Sequence, residues 1–239
     1  LCAEQMLLMR SIEVFCRCAD LIGQKHDEYI KRAESLKETI NEKFWDEEKG
    51  AYIDGFTSGE RNVTRHANIF AVLFDIATET QKESIIQKVF LNEKIPPITT
   101  PYFKFYELEA ICQSGQYEDV LQKIKAYWGE MVEAGATSFW EEFKCGTPWQ
   151  EQLSMYKQKY GKSLCHAWGA TPIYIIGRHI LGVYPTQAGY KNFCVEPHLE
   201  GLESVNAVVP VNGGVVEIIK NNQEITVCAS IEGGTFILG

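Results

Sequence analysis

"LCAEQMLLMRSIEVFCRCADLIGQKHDEYIKRAESLKETINEKF" (residues 1–44) sets two kinds of helical pattern side by side. In the first half Leu7, Leu8, Ile12, Phe15, Cys16, Ala19 and Ile22 cover a wide arc. A helix over about Leu1 to Ile22 is therefore expected to be mostly buried. In the second half Tyr29, Ala33, Leu36, Ile40 and Phe44 recur every three or four residues, with Lys and Glu between them. That spacing predicts an amphipathic helix with one wet face over about Asp27 to Phe44. Gly23 stands between the two, where a helix should stop.

The alternation repeats downstream. "NIFAVLFDIA" is nearly all apolar and "KESIIQKVFL" is amphipathic. "YFKFYELEAICQ" is apolar and aromatic, and "YEDVLQKIKAYWGEMV" carries Val120, Ile124, Tyr127 or Trp128, and Met131 on one stripe. Gly115 marks a stop between them. In "SLCHAWGATPIYIIGRHILG" Pro172 should open or kink a helix. About seven helices, alternately buried and half-wetted, fit two concentric layers better than a four-helix bundle. No fixed-period repeat favours a solenoid.

Three stretches interrupt the helices. "FWDEEKGAYIDGF" (44–56) has the turn signals of a small hairpin, and "LNEKIPPITTP" (91–101) is a Pro-rich loop. Residues 133–162 are long for a connector, and their aromatic content points to a functional loop rather than disorder. After Tyr184 the chain becomes β-branched and alternating, with Asn-Gly at 212–213 and Asn-Asn at 221–222 as hairpin turns. The expected division is a helical domain over 1–183 and a small antiparallel β-sandwich over 184–239.

Composition narrows the functional classes. The 239 residues carry a formal charge of −9, which argues against an electrostatic nucleic-acid surface. No run reaches the ~18 apolar residues that span a bilayer, and none reads as a signal peptide, leaving periplasm and cytoplasm both open. Eight scattered cysteines form no CxxC pair and read as buried reduced thiols, with disulfides as the other possibility. No HExxH, CxxC, EF-hand or Gly-rich phosphate loop occurs, so neither a metal nor a cofactor is expected.

The chemistry concentrates in "GATSFWEEF" (135–143). Glu141 and Glu142 have two readings. One is a solvated acidic pair at a helix start. The other is a carboxylate beside a sugar, because Trp140, Phe143 and Trp149 crowd the pair and aromatic faces stack on sugars. Glycoside hydrolysis needs two carboxyl groups, but consecutive residues point apart on a helix or a strand. At most one of the pair would face a site. His166, in "SLCHAW", is either a core histidine satisfied by a carbonyl or a donor to a substrate hydroxyl. Cys165 beside it faces away on a helix. Tyr102, Phe103 and Tyr106 are either core or the lining of a sugar pocket.

"GATSFWEEF", "SLCHAWGATPIYIIGRHILGVYPTQAGY" and "VEPHLEGLESVNAVVPVNGGVVEI" resemble the C-terminal part of bacterial α-L-rhamnosidases, six-hairpin glycosidases of glycoside hydrolase family 78. "AESLKETINEKFWDEEKGAYIDG" and the stretch from "ITTPYFKFYELEAICQ" onward extend the similarity over essentially the whole chain. The resemblance implies a mainly α chain, part of an (α/α)6 toroid followed by an antiparallel β-sandwich. It implies an inverting hydrolase releasing terminal α-L-rhamnose from a glycoside or polysaccharide. Glu141 matches the general base, and His166 a histidine at the bound sugar. Trp140 and Tyr102 are expected at the substrate. The family's general acid lies in an Asp- and Arg-containing motif that this chain does not contain. Six hairpins need twelve helices, so the chain is expected to pair with a missing N-terminal half and to be inactive alone. The rival readings are a six-hairpin glycosidase for a different sugar, or a non-catalytic carbohydrate-binding scaffold.

Overall fold

Helix α1 (Cys2–Leu21) buries Cys2, Met6, Met9, Ile12, Cys16 and Ala19, a single stripe at steps of three and four. This is narrower than expected. Leu7 and Leu8 are each 43% exposed and Phe15 is 50% exposed, so α1 is amphipathic by position although not by composition. Helix α2 (Asp27–Phe44) packs on it through Ala33, Ile40 and Phe44. The computed structural model describes residues 1–57, 59–231 and 235–238. Its contacts divide the chain into two compact units, Leu1–Ile98 and Thr99–Gly239. The change from helix to strand near 183–184 falls inside the second unit.

In the first unit the hairpin expected in 44–56 is present as β1 (Trp45–Asp46) and β2 (Ala51–Tyr52). Helix α3 (Arg65–Leu73) holds it with Asn68, which is fully buried. Asn68 Oδ1 accepts from the Tyr52 amide and its Nδ2 donates to the Tyr52 carbonyl, both at 2.9 Å. One side chain thus stands in for a strand neighbour and satisfies two buried backbone groups. Helix α4 (Glu79–Ile85) starts in a Thr78/Gln81 capping box and continues as a π-helical turn over Ile86–Phe90.

The second unit starts its first helix on a proline. Helix α5 (Pro101–Gln113) has Pro101 in its first turn, where the missing N–H costs nothing. Helix α6 (Tyr117–Ile124) runs through a π turn at Lys125–Gly129 into α7 (Glu130–Glu133). Pro172 opens α9 (Thr171–Ile175), which extends as a π turn to Ile180. Gly23 and Gly115 take φ of +67° and +72° and end α1 and α5, a conformation that favours glycine. Counted as continuous runs, the described residues hold seven long helical segments, besides the single turn α8 (Trp149–Gln152) and short 3₁₀ turns.

Two small sheets close the chain. Strands β5 (Ser204–Val211), β6 (Gly214–Asn221) and β7 (Glu224–Ile231) form an antiparallel meander. Its second turn falls on Asn222–Gln223, one residue later than expected, with Asn222 at φ +56°. Asn222 tolerates that conformation better than most residues. In the other sheet β3 (Val183–Pro185) pairs antiparallel with β4 (Asn192–Val195), but β4 pairs parallel with β8 (Thr235–Leu238). The β region is therefore not wholly antiparallel.

Gly182 joins α9 to β3 at φ +68°. A Cβ there would lie 1.8 Å from the Glu196 carbonyl oxygen. All eight cysteines are free; Cys2, Cys16, Cys112 and Cys194 are buried, whereas Cys18, Cys145, Cys165 and Cys228 are exposed. The expectation of buried thiols holds for half of them.

Candidate active site

The loop between α7 and α9 lies along itself, and this places the adjacent carboxylates. The Glu141 amide donates to the Ser163 carbonyl at 2.9 Å, and the His166 amide to the Phe139 carbonyl at 2.7 Å. Residues 139–141 and 163–166 therefore run side by side without being a strand pair. The Phe143 amide and the Tyr127 hydroxyl both donate to the Thr99 carbonyl, at 2.9 and 2.7 Å. Trp128 Nε1 donates to the Gly169 carbonyl at 2.9 Å. Gly169 has no room for a side chain, since a Cβ would meet Phe139 Cβ at 2.6 Å.

This frame gives the two glutamates different partners. Glu142 is built into an ionic cluster. Its Oε1 accepts from Thr99 Oγ1 at 2.9 Å and lies 3.6 Å from Lys144 Nζ, while Oε2 lies 3.7 Å from Lys162 Nζ. The Lys162 side chain is 1% exposed, and burial pulls its pKa below the usual lysine value against the opposing pull of Glu142. Glu141, 7% exposed, has neutral donors on both oxygens. Tyr156 Oη donates to Oε1 and the Ser163 amide to Oε2, each at 3.0 Å. A carboxylate offers about four lone-pair directions, so each oxygen keeps room for another donor.

The expected substrate residues separate in the same way. Trp140 is 2% exposed and packs against Phe143 and Trp149, with ring centroids at 5.8 and 5.5 Å. Its ring supports the loop from within. Tyr102 is 44% exposed and lies 5.2 Å from the ring of Trp168, which is itself 40% exposed. The half-buried His166 ring sits 4.2 Å from the ring of Trp168. Trp168 Nε1 donates to the Glu141 carbonyl at 3.3 Å. Tyr102, Trp168 and His166 thus form one connected group that reaches the Glu141 backbone, whereas Trp140 is enclosed. Trp168 escaped the sequence reading although it lies in the same "SLCHAW" motif; nothing local marks which tryptophan shows its face.

The arrangement offers an acceptor of protons, a hydrogen-bonding imidazole and open aromatic faces, the elements of carbohydrate recognition and of one half of acid–base catalysis. Among the described residues no group of three or more His, Cys, Asp or Glu side chains is placed to hold a metal ion. No helix is long and apolar enough to cross a membrane among them.

Comparison with known proteins places the chain in a family. Residues 2–180 match the bacterial alpha-L-rhamnosidase 6 hairpin glycosidase domain, and the chain belongs to that family. A GH78 family rhamnosidase of Bacillus sp. GL1 superimposes with a TM-score of 0.83 at 24% identity, covering 98% of this chain and 25% of that one. A Klebsiella oxytoca rhamnosidase with rhamnose bound gives a TM-score of 0.60 at 32% identity, over 73% of this chain and 33% of that one. The α-L-rhamnosidase from Dictyoglumus thermophilum gives 0.73 at 22% identity, over 98% and 26%. The chain thus spans about a quarter to a third of the length of these solved relatives. No curated protein matches it.

Proposed function

We propose that this chain carries the general-base side of an inverting glycoside hydrolase that releases terminal α-L-rhamnose. The observation that carries the reading is Glu141 itself. It is nearly buried and held at both oxygens by neutral donors, and its backbone carbonyl accepts from Trp168 of an open aromatic group. Membership of the rhamnosidase domain family and a relative seen with rhamnose bound support the choice of sugar.

Glu141 accepts a proton from a water as that water's oxygen bonds to the anomeric carbon. The bond from that carbon to the leaving oxygen breaks, and a second carboxyl group protonates the leaving oxygen. Inversion requires the two carboxyls to stand about 6.5–9.5 Å apart, with the water between. In this reading the acid comes from chain preceding Leu1, in keeping with the small share of its relatives that this chain covers. The helical segments are then part of an (α/α)6 toroid over 1–183, and 184–239 a trailing β-sandwich. His166 donates to a sugar hydroxyl, Trp168 and Tyr102 meet the ring, and Trp140 backs them from the core.

The test uses the complete protein and an aryl α-L-rhamnoside. E141Q removes the base and should lower kcat by roughly 10²–10⁴-fold while keeping sugar binding. The first rhamnose released by the wild type, followed by NMR, should be the β anomer. Near-wild-type turnover by E141Q, or release of the α anomer first, refutes the assignment.

A further inference from the structure

Tyr156 is an unusual partner for a buried carboxylate. It is 71% exposed, yet its hydroxyl reaches Glu141 Oε1 at 3.0 Å. It sits in a two-residue turn closed on both sides, since Met155 and Gln158 exchange backbone hydrogen bonds of 3.1 and 2.9 Å. Tyr156 and Lys157 both take left-handed conformations, at φ +53° and +63°. Turns with two positive φ values favour Asn and Gly, and a tyrosine followed by a lysine is strained there. Such strain persists where surrounding structure enforces it.

Here Gly161 helps to enforce it. A Cβ at Gly161 would lie 2.4 Å from the Met155 carbonyl oxygen, so the turn lies flat against a residue that has no side chain. The strained turn brings one group to the site, the phenol.

We propose that Tyr156 is a positioning residue for Glu141: with the Ser163 amide on the other oxygen, its hydroxyl fixes the plane of the carboxylate so that the free lone pairs face the attacking water. The inference rests on the reading of Glu141 as the base. Two donors on two oxygens remove rotation about the last side-chain bond, and orientation of a reacting group is itself a source of rate. The phenol records the contact, because its hydrogen bond to Glu141 and the charges of Glu141 and Glu142 hold its pKa above the ordinary tyrosine value.

The test has a spectroscopic and a kinetic arm. The complete protein is labelled with ¹³Cζ-tyrosine, and the Tyr156 signal is assigned by its loss in Y156F. It should titrate above the ordinary tyrosine value, and E141Q should bring it down. In the complete protein Y156F should lower kcat roughly tenfold, the scale of one hydrogen bond to a charged group, with KM changed less than about twofold. A structural role alone would not separate kcat from KM in this way. If E141Q abolishes turnover and Y156F turns over normally, or if E141Q leaves the Tyr156 titration unmoved, the positioning role fails and the base assignment survives. If E141Q itself turns over normally, both fail.

Discussion

Replacing Gln152 by leucine should loosen the loop that carries the candidate base. The residue is 1% exposed. Its Nε2 donates to the Lys144 carbonyl at 2.6 Å and to the Thr147 carbonyl at 3.3 Å. Its Oε1 accepts from the Lys144 amide at 3.3 Å and from Lys162 Nζ at 3.5 Å. Leucine preserves much of the volume and none of these bonds. Losing the backbone bonds should cost about 1 kcal/mol each for the better two, and depriving the buried ammonium of an acceptor about 1–2 kcal/mol more. The sum of about 3–4 kcal/mol corresponds to a fall in Tm of roughly 6–16 °C for a chain of this size.

Thermal unfolding followed by circular dichroism reads that fall. The reasoning also predicts a coupling. In K162M the ammonium that would lose an acceptor in Q152L is already gone. The double variant should therefore be less destabilised than the sum of the singles, by about 1–2 kcal/mol. A Q152L protein melting within about 2 °C of the wild type, or strictly additive effects, would show that the buried network is not a unit.

Two further outcomes follow from the site and the core. W168A should weaken L-rhamnose binding by roughly tenfold in calorimetry, the scale of one aromatic stacking contact, and leave the melting temperature nearly unchanged. W140A should do the reverse, with about 3–5 kcal/mol of lost stability from a buried cavity; equal effects of the two on binding would contradict the placement of their rings. Stability should also fall in alkali, because burial pushes Cys2 and Cys112 from about 9 up to about 12. Below pH 9 both thiols are protonated folded and unfolded, so their contribution is complete. Between pH 9 and 12 the unfolded chain releases protons that the folded chain keeps, and stability declines by up to about 1.4 kcal/mol per pH unit per thiol. Denaturant midpoints measured across that range for wild type and C112A check the slope, which should be shallower in the variant.

Much of the helical framework is legible from local pattern. The boundaries of α2, the stops at Gly23 and Gly115, the start at Pro172 and the hairpin at 45–52 follow from spacing and from backbone limits that a single residue imposes. The exposed side of α1 does not, because composition reports how apolar a helix is and not how many of its sides find neighbours. The parallel pairing of β4 with β8 joins strands about forty residues apart, and no turn signal encodes it.

The sequence by itself determined that one carboxylate of a Glu-Glu pair, amid aromatics and near His166, is the place to look. The family resemblance picked out Glu141, and the tertiary structure shows how the surroundings of the two members differ. Glu141 and Glu142 share chemistry and nearly share neighbours along the chain. Their difference comes from what the folded loop brings to each: Lys144, Lys162 and Thr99 to Glu142, and the Tyr156 hydroxyl and the Ser163 amide to Glu141. The same holds for Trp140 and Trp168, one enclosed and one open. A side chain's environment is made by residues distant in sequence, and electrostatics and solvent access act through space rather than along the chain.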